Sequence, residues 1–253
     1  AWGRRLHARK TQLAKERERA VERPVLPTGR ISIGTDVEQT RADIALQVNG
    51  YSRGCDGRVL FEDADLAIAC GERVALIGPN GSGKTTFLRD LVERGRWEDR
   101  ILRVGPSLSV GYCAQHQETL DPSRTVLEEF LAAGAHTRRE AFAAVAGFLF
   151  SWEDLDKRVD SLSGGEKNRL QLARVMMRKA NFLVLDEPTN HMDIASCEAI
   201  EESLAAFPGT ILVVSHDRYF LDKIATTIVQ IEDRRFVRHH GSFTEFWAQR
   251  EPL

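Results

Sequence analysis

The sequence predicts an α/β fold with a mostly parallel sheet covered by helices. Three observations carry this prediction. Strand-like and helix-like segments alternate from VALI near residue 74 to TIVQIE near residue 227. Two short apolar runs, FLVL at Phe182 to Leu185 and ILVV at Ile211 to Val214, read as strands buried on both faces. A glycine-rich loop, GPNGSGKTT, joins a strand to a helix, as the turns of α/β units do.

Bulk composition sets the frame. The chain has 253 residues, 28% charged and 42% hydrophobic, ordinary for a globular protein with one large domain. A net charge of -2 gives no whole-chain nucleic-acid signature, so any basic contact surface is local. Cys55, Cys70, Cys113 and Cys197 are far apart and form no CxxC pair. They read as free thiols of a reducing, cytoplasmic compartment rather than a zinc site. No apolar run has the length of a membrane span and no signal peptide is visible. The chain begins at Ala1, which fits a piece of a longer protein or removal of a methionine.

The elements follow in order. Residues 1 to 23 hold eight Lys or Arg against three Glu, and Leu6, Leu13 and Ala20 recur every seven residues. This is a helix with a narrow apolar seam, ended by Pro24 and Pro27. It stands either as a solvated tail or as the end of a linker helix that pairs with another helix or touches an anionic partner such as RNA. Residues 1–27 are thus set apart from a main domain, 28–253. From Ile44 to Ile77 the β-branched residues of IALQV and RVALI give short strands, with a turn at Gly71-Glu72. The loop and helix VALIGPNGSGKTTFLRDL come next, then a strand across SLSVGYCAQ, Ser107 to Gln115. Residues 125 to 150 are helical by composition, so about 116–161 forms a helical insert between two sheet-bearing parts. The turn LSGGE opens a helix to about Lys179. Strand FLVLDE, a helix from Ser196 to Phe207, strand TILVVSHD, helix DRYFLDKI and strand TIVQIE complete the alternation.

The chemistry sits at strand ends. GPNGSGKT matches G-x-x-x-x-G-K-[ST] after a strand and before a helix. Gly78, Asn80, Gly81, Ser82 and Gly83 turn backbone N–H groups toward phosphates, and the helix N-terminus with Thr85 and Thr86 adds positive potential. Lys84 is expected to reach the β- and γ-phosphates of a nucleotide, and Thr85 a Mg²⁺ ion. Asp186 is placed to hold the magnesium shell. Glu187, one residue on, is placed to polarise the attacking water. His216 ends the next buried strand and should lie near the γ-phosphate; Gln115 ends another and should sense magnesium and that phosphate. Tyr51, 27 residues before Gly78, is a candidate to stack on adenine.

A second glycine turn remains, LSGGE at Leu162 to Glu166, and one nucleotide needs only one cradle. Taken together, GPNGSGKTT, Gln115, LSGGE, FLVLDE, the loop ending in Asp193, and His216 resemble, in order, the motifs of an ABC ATPase nucleotide-binding domain. The resemblance covers about residues 40 to 240. It implies a P-loop NTPase fold of ABC type, with a RecA-like mostly parallel core sheet, an antiparallel β subdomain and a helical subdomain. It also implies ATP and Mg²⁺ as ligands. In that family two domains stack head to tail around two ATP molecules, so Ser163, Gly164, Gly165 and Glu166 would contact the ATP of a partner cassette. The partner would be a second copy or another cassette of the same polypeptide. ATP would close the pair and hydrolysis open it.

DEPTNHMDI, Asp186 to Ile194, is similar to the DEPTNHLDI motif of the ABC-F subfamily, with Met192 in place of leucine. GFLF at Gly147 to Phe150 and GSFTEFWAQR at Gly241 to Arg250 also resemble ABC-F segments. This implies a second cassette preceded by the end of the inter-cassette linker, in a protein that acts on the ribosome and tRNA, some relatives conferring antibiotic resistance. Three rival readings fit the sequence less well. NHMD and the basic N-terminal segment count against the ATPase subunit of a membrane transporter. The intact set of Lys84, Asp186, Glu187, Gln115 and His216 counts against a non-catalytic binding module. The short spacing between GPNGSGKTT and LSGGE counts against a structural-maintenance ATPase.

Overall fold

The computed structural model describes residues 44–115, 119–190 and 192–249. The expected basic helix of residues 1–27 lies outside them. Strands β1 (Ile44–Cys55), β2 (Arg58–Ala69) and β4 (Leu102–Val104) form an antiparallel sheet in the order β2-β1-β4. β3 (Arg73–Ile77), β5 (Val110–Cys113), β6 (Phe182–Asp186), β7 (Thr210–Val214), β8 (Thr227–Glu232) and β9 (Arg235–His240) form a second sheet in the order β5-β6-β7-β3-β8-β9. Its first five strands are parallel, and only β9 runs antiparallel to its neighbour.

The parallel strands explain their own composition. Every residue of β6 and β7 is buried, so each carries an apolar run of four, with only Asp186 at the end of β6 and Thr210 at the start of β7 polar. Helix α1 (Lys84–Arg94) lies between the two sheets. Its Phe87, Leu88 and Leu91 share one core with Phe61 of β2 and with Val184 and Leu212 of the parallel sheet. Burying Phe87 alone contributes about 2–3 kcal/mol. A second core holds the other face of the parallel sheet against α2 (Val126–Ala133), α3 (Arg138–Ala146), α4 (Gly164–Met177), α5 (Ile194–Ala205) and α6 (Arg218–Ile224). A last helix, α7 (Phe243–Ala248), packs Phe243 and Phe246 into that core.

Local chemistry sets the helix ends. Thr125 and Glu128 form a capping box at the start of α2, and Gly134, in the left-handed region at φ 116, ends it. The expected helical insert is therefore two short helices and two single turns, Glu153–Asp156 and Val159–Ser161. The strand read across SLSVGYCAQ is shorter, because pairing with β6 begins only at Val110 opposite Phe182. Among the described residues no helix is long and apolar enough to cross a membrane.

Candidate functional site

The carboxyl ends of β3, β5, β6 and β7 converge on one cavity of about 670 Å³. Register makes this unavoidable. Asp186, the last residue of β6, pairs with Val214, the last of β7, so Glu187 and His216 leave adjacent strands at one edge. Asn80, Gly81, Gly83, Lys84, Thr85 and Thr86 form one wall. Gln115, Asp186, Glu187 and His216 form the facing wall.

The loop after β3 needs its glycines. Gly81 and Gly83 sit at φ 75 and φ 99, where L-residues are strained. A Cβ on Gly83 would also stand 2.8 Å from the Phe61 ring. Lys84 opens α1 and curls back, its Nζ donating to the carbonyls of Gly78 at 2.9 Å and Pro79 at 3.0 Å. Burial lowers the Lys84 pKa, against the pull of the Glu187 and Asp186 carboxylates. The Ser82 hydroxyl is buried with no hydrogen-bond partner. A turned loop, a half-buried ammonium and an unmatched hydroxyl at a helix N-terminus fit a phosphate chain. The Thr85 hydroxyl, the Asp186 carboxylate and the Gln115 amide all stand on the cavity wall, oxygen donors of the kind that would suit Mg²⁺. So few protein ligands fit an ion that keeps water and phosphate oxygens in its shell.

Asp186 is buried and Glu187 nearly so, its side chain 12% exposed. Glu187 occupies the left-handed region at φ 52, unusual for a residue with a Cβ. Its amide donates to the Val214 carbonyl at 2.9 Å, which pins that turn to β7. Its Oε2 accepts from the His216 amide at 3.3 Å, and its Oε1 lies 3.5 Å from His216 Nε2. Burial raises the Glu187 pKa, and the neighbouring Asp186 adds to this, while His216 and Lys84 oppose it. A carboxylate with raised basicity, held beside a histidine on the cavity wall, can accept a proton from water.

Tyr51 does not belong to this site, contrary to the expectation that it stacks on adenine. Its ring is 1% exposed and packs against Phe61 and Phe87, with centroids 5.1 and 5.5 Å away. Its hydroxyl donates to Asp90 of α1 at 2.8 Å, and Arg53 meets the same carboxylate at 3.3 Å. A ring enclosed in this way has no face left for a base. The cavity wall on that side is instead Cys55, Asp56, Arg58 and Leu60, which the sequence reading did not single out. Asp56 and Gly57, both at positive φ, turn β1 into β2. That Asp-Gly pair is a hairpin signal, and it would have found them. Asn190 also lines the cavity and was also missed.

The turn LSGGE stands apart. None of Ser163, Gly164, Gly165 or Glu166 lines the cavity that holds Lys84. Ser163 caps α4, its Oγ accepting from the Glu166 amide at 3.3 Å. The Glu166 carboxylate accepts from the Ser163 amide at 2.8 Å and the Ser163 hydroxyl at 2.7 Å. Glu166 is thus engaged in the cap, while the exposed Ser163 and Gly164 begin a helix whose first amides face outward.

Comparison with known proteins agrees with this geometry. A family model described as ABC transporter matches residues 61–190. The chain is 37% identical over 211 residues to the energy-dependent translational throttle protein EttA of Escherichia coli, covering 81% of this chain and 38% of EttA. It is 36% identical over 245 residues to the ATP-binding protein Uup of Escherichia coli, covering 94% of this chain and 38% of Uup. The chain therefore spans well under half the length of these relatives. The dimeric structure of MJ0796, a bacterial ABC transporter cassette, superposes with a TM-score of 0.67 at 20% identity, over 77% of this chain and 98% of that one. That likeness is one of fold.

Proposed function

This chain belongs to the ABC transporter family, and from that premise we propose that it is an ATP-hydrolysing cassette of ABC-F type, working in a head-to-tail pair. One observation carries the reading. The chain holds a cavity lined by the glycine loop and Lys84, and a second glycine turn at Ser163 to Gly165 that takes no part in it. A second turn with no ligand of its own is what a composite site requires, with each cassette completing the other's.

In this reading the amides of Gly81 and Gly83 and the Lys84 ammonium hold the triphosphate. Thr85, Asp186 and Gln115 would hold Mg²⁺, which when bound neutralises phosphate charge. Glu187 takes a proton from the attacking water, and His216 keeps the Glu187 carboxylate and that water in line. Ser163, Gly164 and Gly165 would close over the γ-phosphate of the ATP held by the partner cassette. The likeness to EttA, whose name describes a translational throttle, supports the ribosome with its tRNA as the target of the closing motion.

Calorimetric titration with Mg-ATP tests the nucleotide site. Binding by the chain and loss of binding in Lys84→Ala is the expected result, and equal affinity in both contradicts it. Sedimentation of the source protein with ribosomes in the presence of a hydrolysis-resistant ATP analogue tests the target.

A further inference from the structure

We propose that Asn168 and Arg169 are positioning residues that couple this chain's own nucleotide cavity to its outward-facing turn at Ser163 to Gly165. The inference rests on the reading of that turn as the clamp for a partner's nucleotide. It concerns how the clamp learns the state of the cavity in its own chain.

The two places are joined by helix α4. Its first residues carry the turn, and Ser163 caps it. One turn further on, Asn168 is buried and its Nδ2 donates to the carbonyl of Asn190 at 2.9 Å. Asn190 lies on the wall of the nucleotide cavity, three residues after Glu187, and its amide is bonded back to the Glu187 carbonyl at 3.2 Å. The chain of contacts from Glu187 to the clamp helix is thus two hydrogen bonds long.

Arg169 doubles the connection. Its guanidinium donates to the Ser196 hydroxyl in the first turn of α5 and lies 4.0 Å from the Asp193 carboxylate that caps α5. Its other side covers the Phe150 ring, 5.5 Å from the centroid, so the charge is held between the loop before α5 and the helical insert. Further along α4, Arg174 donates to the Thr119 carbonyl, four residues past Gln115, and pairs with the buried Glu129 of α2 at 2.8 Å. Both segments that leave the cavity wall, after Gln115 and after Glu187, are therefore fastened to one helix. That helix runs unbroken from Gly164 to Met177, so its anchors and its tip are joined by one hydrogen-bonded backbone. A shift of either segment on nucleotide binding is carried to Ser163 at its tip.

Hydrogen exchange of the intact chain tests this, at a dilution where light scattering shows monomer, with and without β,γ-imido-ATP. In the wild type, saturating analogue should change exchange at residues 163–167 by about fivefold or more, the usual size of a coupling between sites. Asn168→Ala should bind the analogue with unchanged affinity and lose that response, and Asn168→Gln should regain it. Arg169→Lys, which keeps the charge and loses the fork, should weaken the response and serves if Asn168→Ala does not fold. A response of wild-type size in Asn168→Ala and Arg169→Lys, or no response in a wild type that binds the analogue, overturns the inference and leaves the nucleotide site standing. If Lys84→Ala binds the analogue as well as wild type does, the nucleotide site itself fails.

Discussion

Glu187 Oε1 and His216 Nε2 lie 3.5 Å apart at the ends of two adjacent parallel strands, and the Glu187 Oε2 accepts from the His216 backbone amide. The pair is fixed by sheet register rather than by loop conformation, since Asp186 pairs directly with Val214. His216 remains 65% exposed on its side chain while Glu187 is nearly buried. One member is therefore open to solvent and nucleotide, and the other has its basicity raised by burial.

Glu187→Gln is expected to keep Mg-ATP affinity within about threefold and to slow turnover by about 10²–10⁴, the span of general base catalysis. Steady-state phosphate release checks it. Turnover at the wild-type rate would remove Glu187 from the role of base.

The same substitution changes the pH dependence of folding. The Glu187 pKa is raised in the folded chain, so between the ordinary glutamate value and that raised value the native state holds a proton that the unfolded state has released. This contribution to stability is present below the ordinary value and is lost as pH rises through the folded one. Urea unfolding of Glu187→Gln should therefore decline less from acid to neutral pH than that of the wild type. Parallel pH profiles would contradict the assignment.

Tyr51→Phe should leave nucleotide affinity unchanged and destabilise the chain by about 1–2 kcal/mol, because the buried Asp90 carboxylate loses one of its partners. Denaturant midpoints and calorimetry on one preparation separate the two effects. A loss of affinity with unchanged stability would restore Tyr51 to the nucleotide.

Glu129→Ala should cost about 3–5 kcal/mol, since it leaves the largely buried Arg174 guanidinium without its carboxylate. Thermal unfolding measures it. A change under about 0.5 kcal/mol, as for exposed ion pairs, would show that water reaches the pair.

Much of this was legible in the sequence because burial leaves a plain record. β6 and β7 are covered on both faces and are apolar from Phe182 to Leu185 and from Ile211 to Val214, and the polar residues beyond those runs, Asp186, Glu187 and His216, stand out by contrast. The turn between β3 and α1 was legible because left-handed Gly81 and Gly83 constrain residue type. The β1–β2 hairpin was less so. β2 mixes acidic and apolar residues on a sheet that is half exposed, so only Asp56-Gly57 marked its turn. Strand β9 has no fully buried position; it mixes partly buried Phe236 and Val237 with arginines and histidines and left no apolar run to read. Tyr51 failed for a different reason. Its distance along the chain from Gly78 is suitable for a base, but spacing does not reveal which face of β1 a side chain takes. Its partner Asp90 lies on α1, 39 residues away, where no local pattern announces the pair.

The most direct test of the composite site is complementation between two inactive chains. Lys84→Ala removes the phosphate cradle and keeps the turn at Ser163. Ser163→Arg blocks the turn and keeps the cradle. Each alone should show no ATPase activity, and an equimolar mixture should regain a substantial part of the wild-type rate, because one chain supplies the cavity and the other the clamp. A mixture that stays inactive while the wild-type chain hydrolyses ATP would mean that Ser163 to Gly165 do not act on a partner's nucleotide.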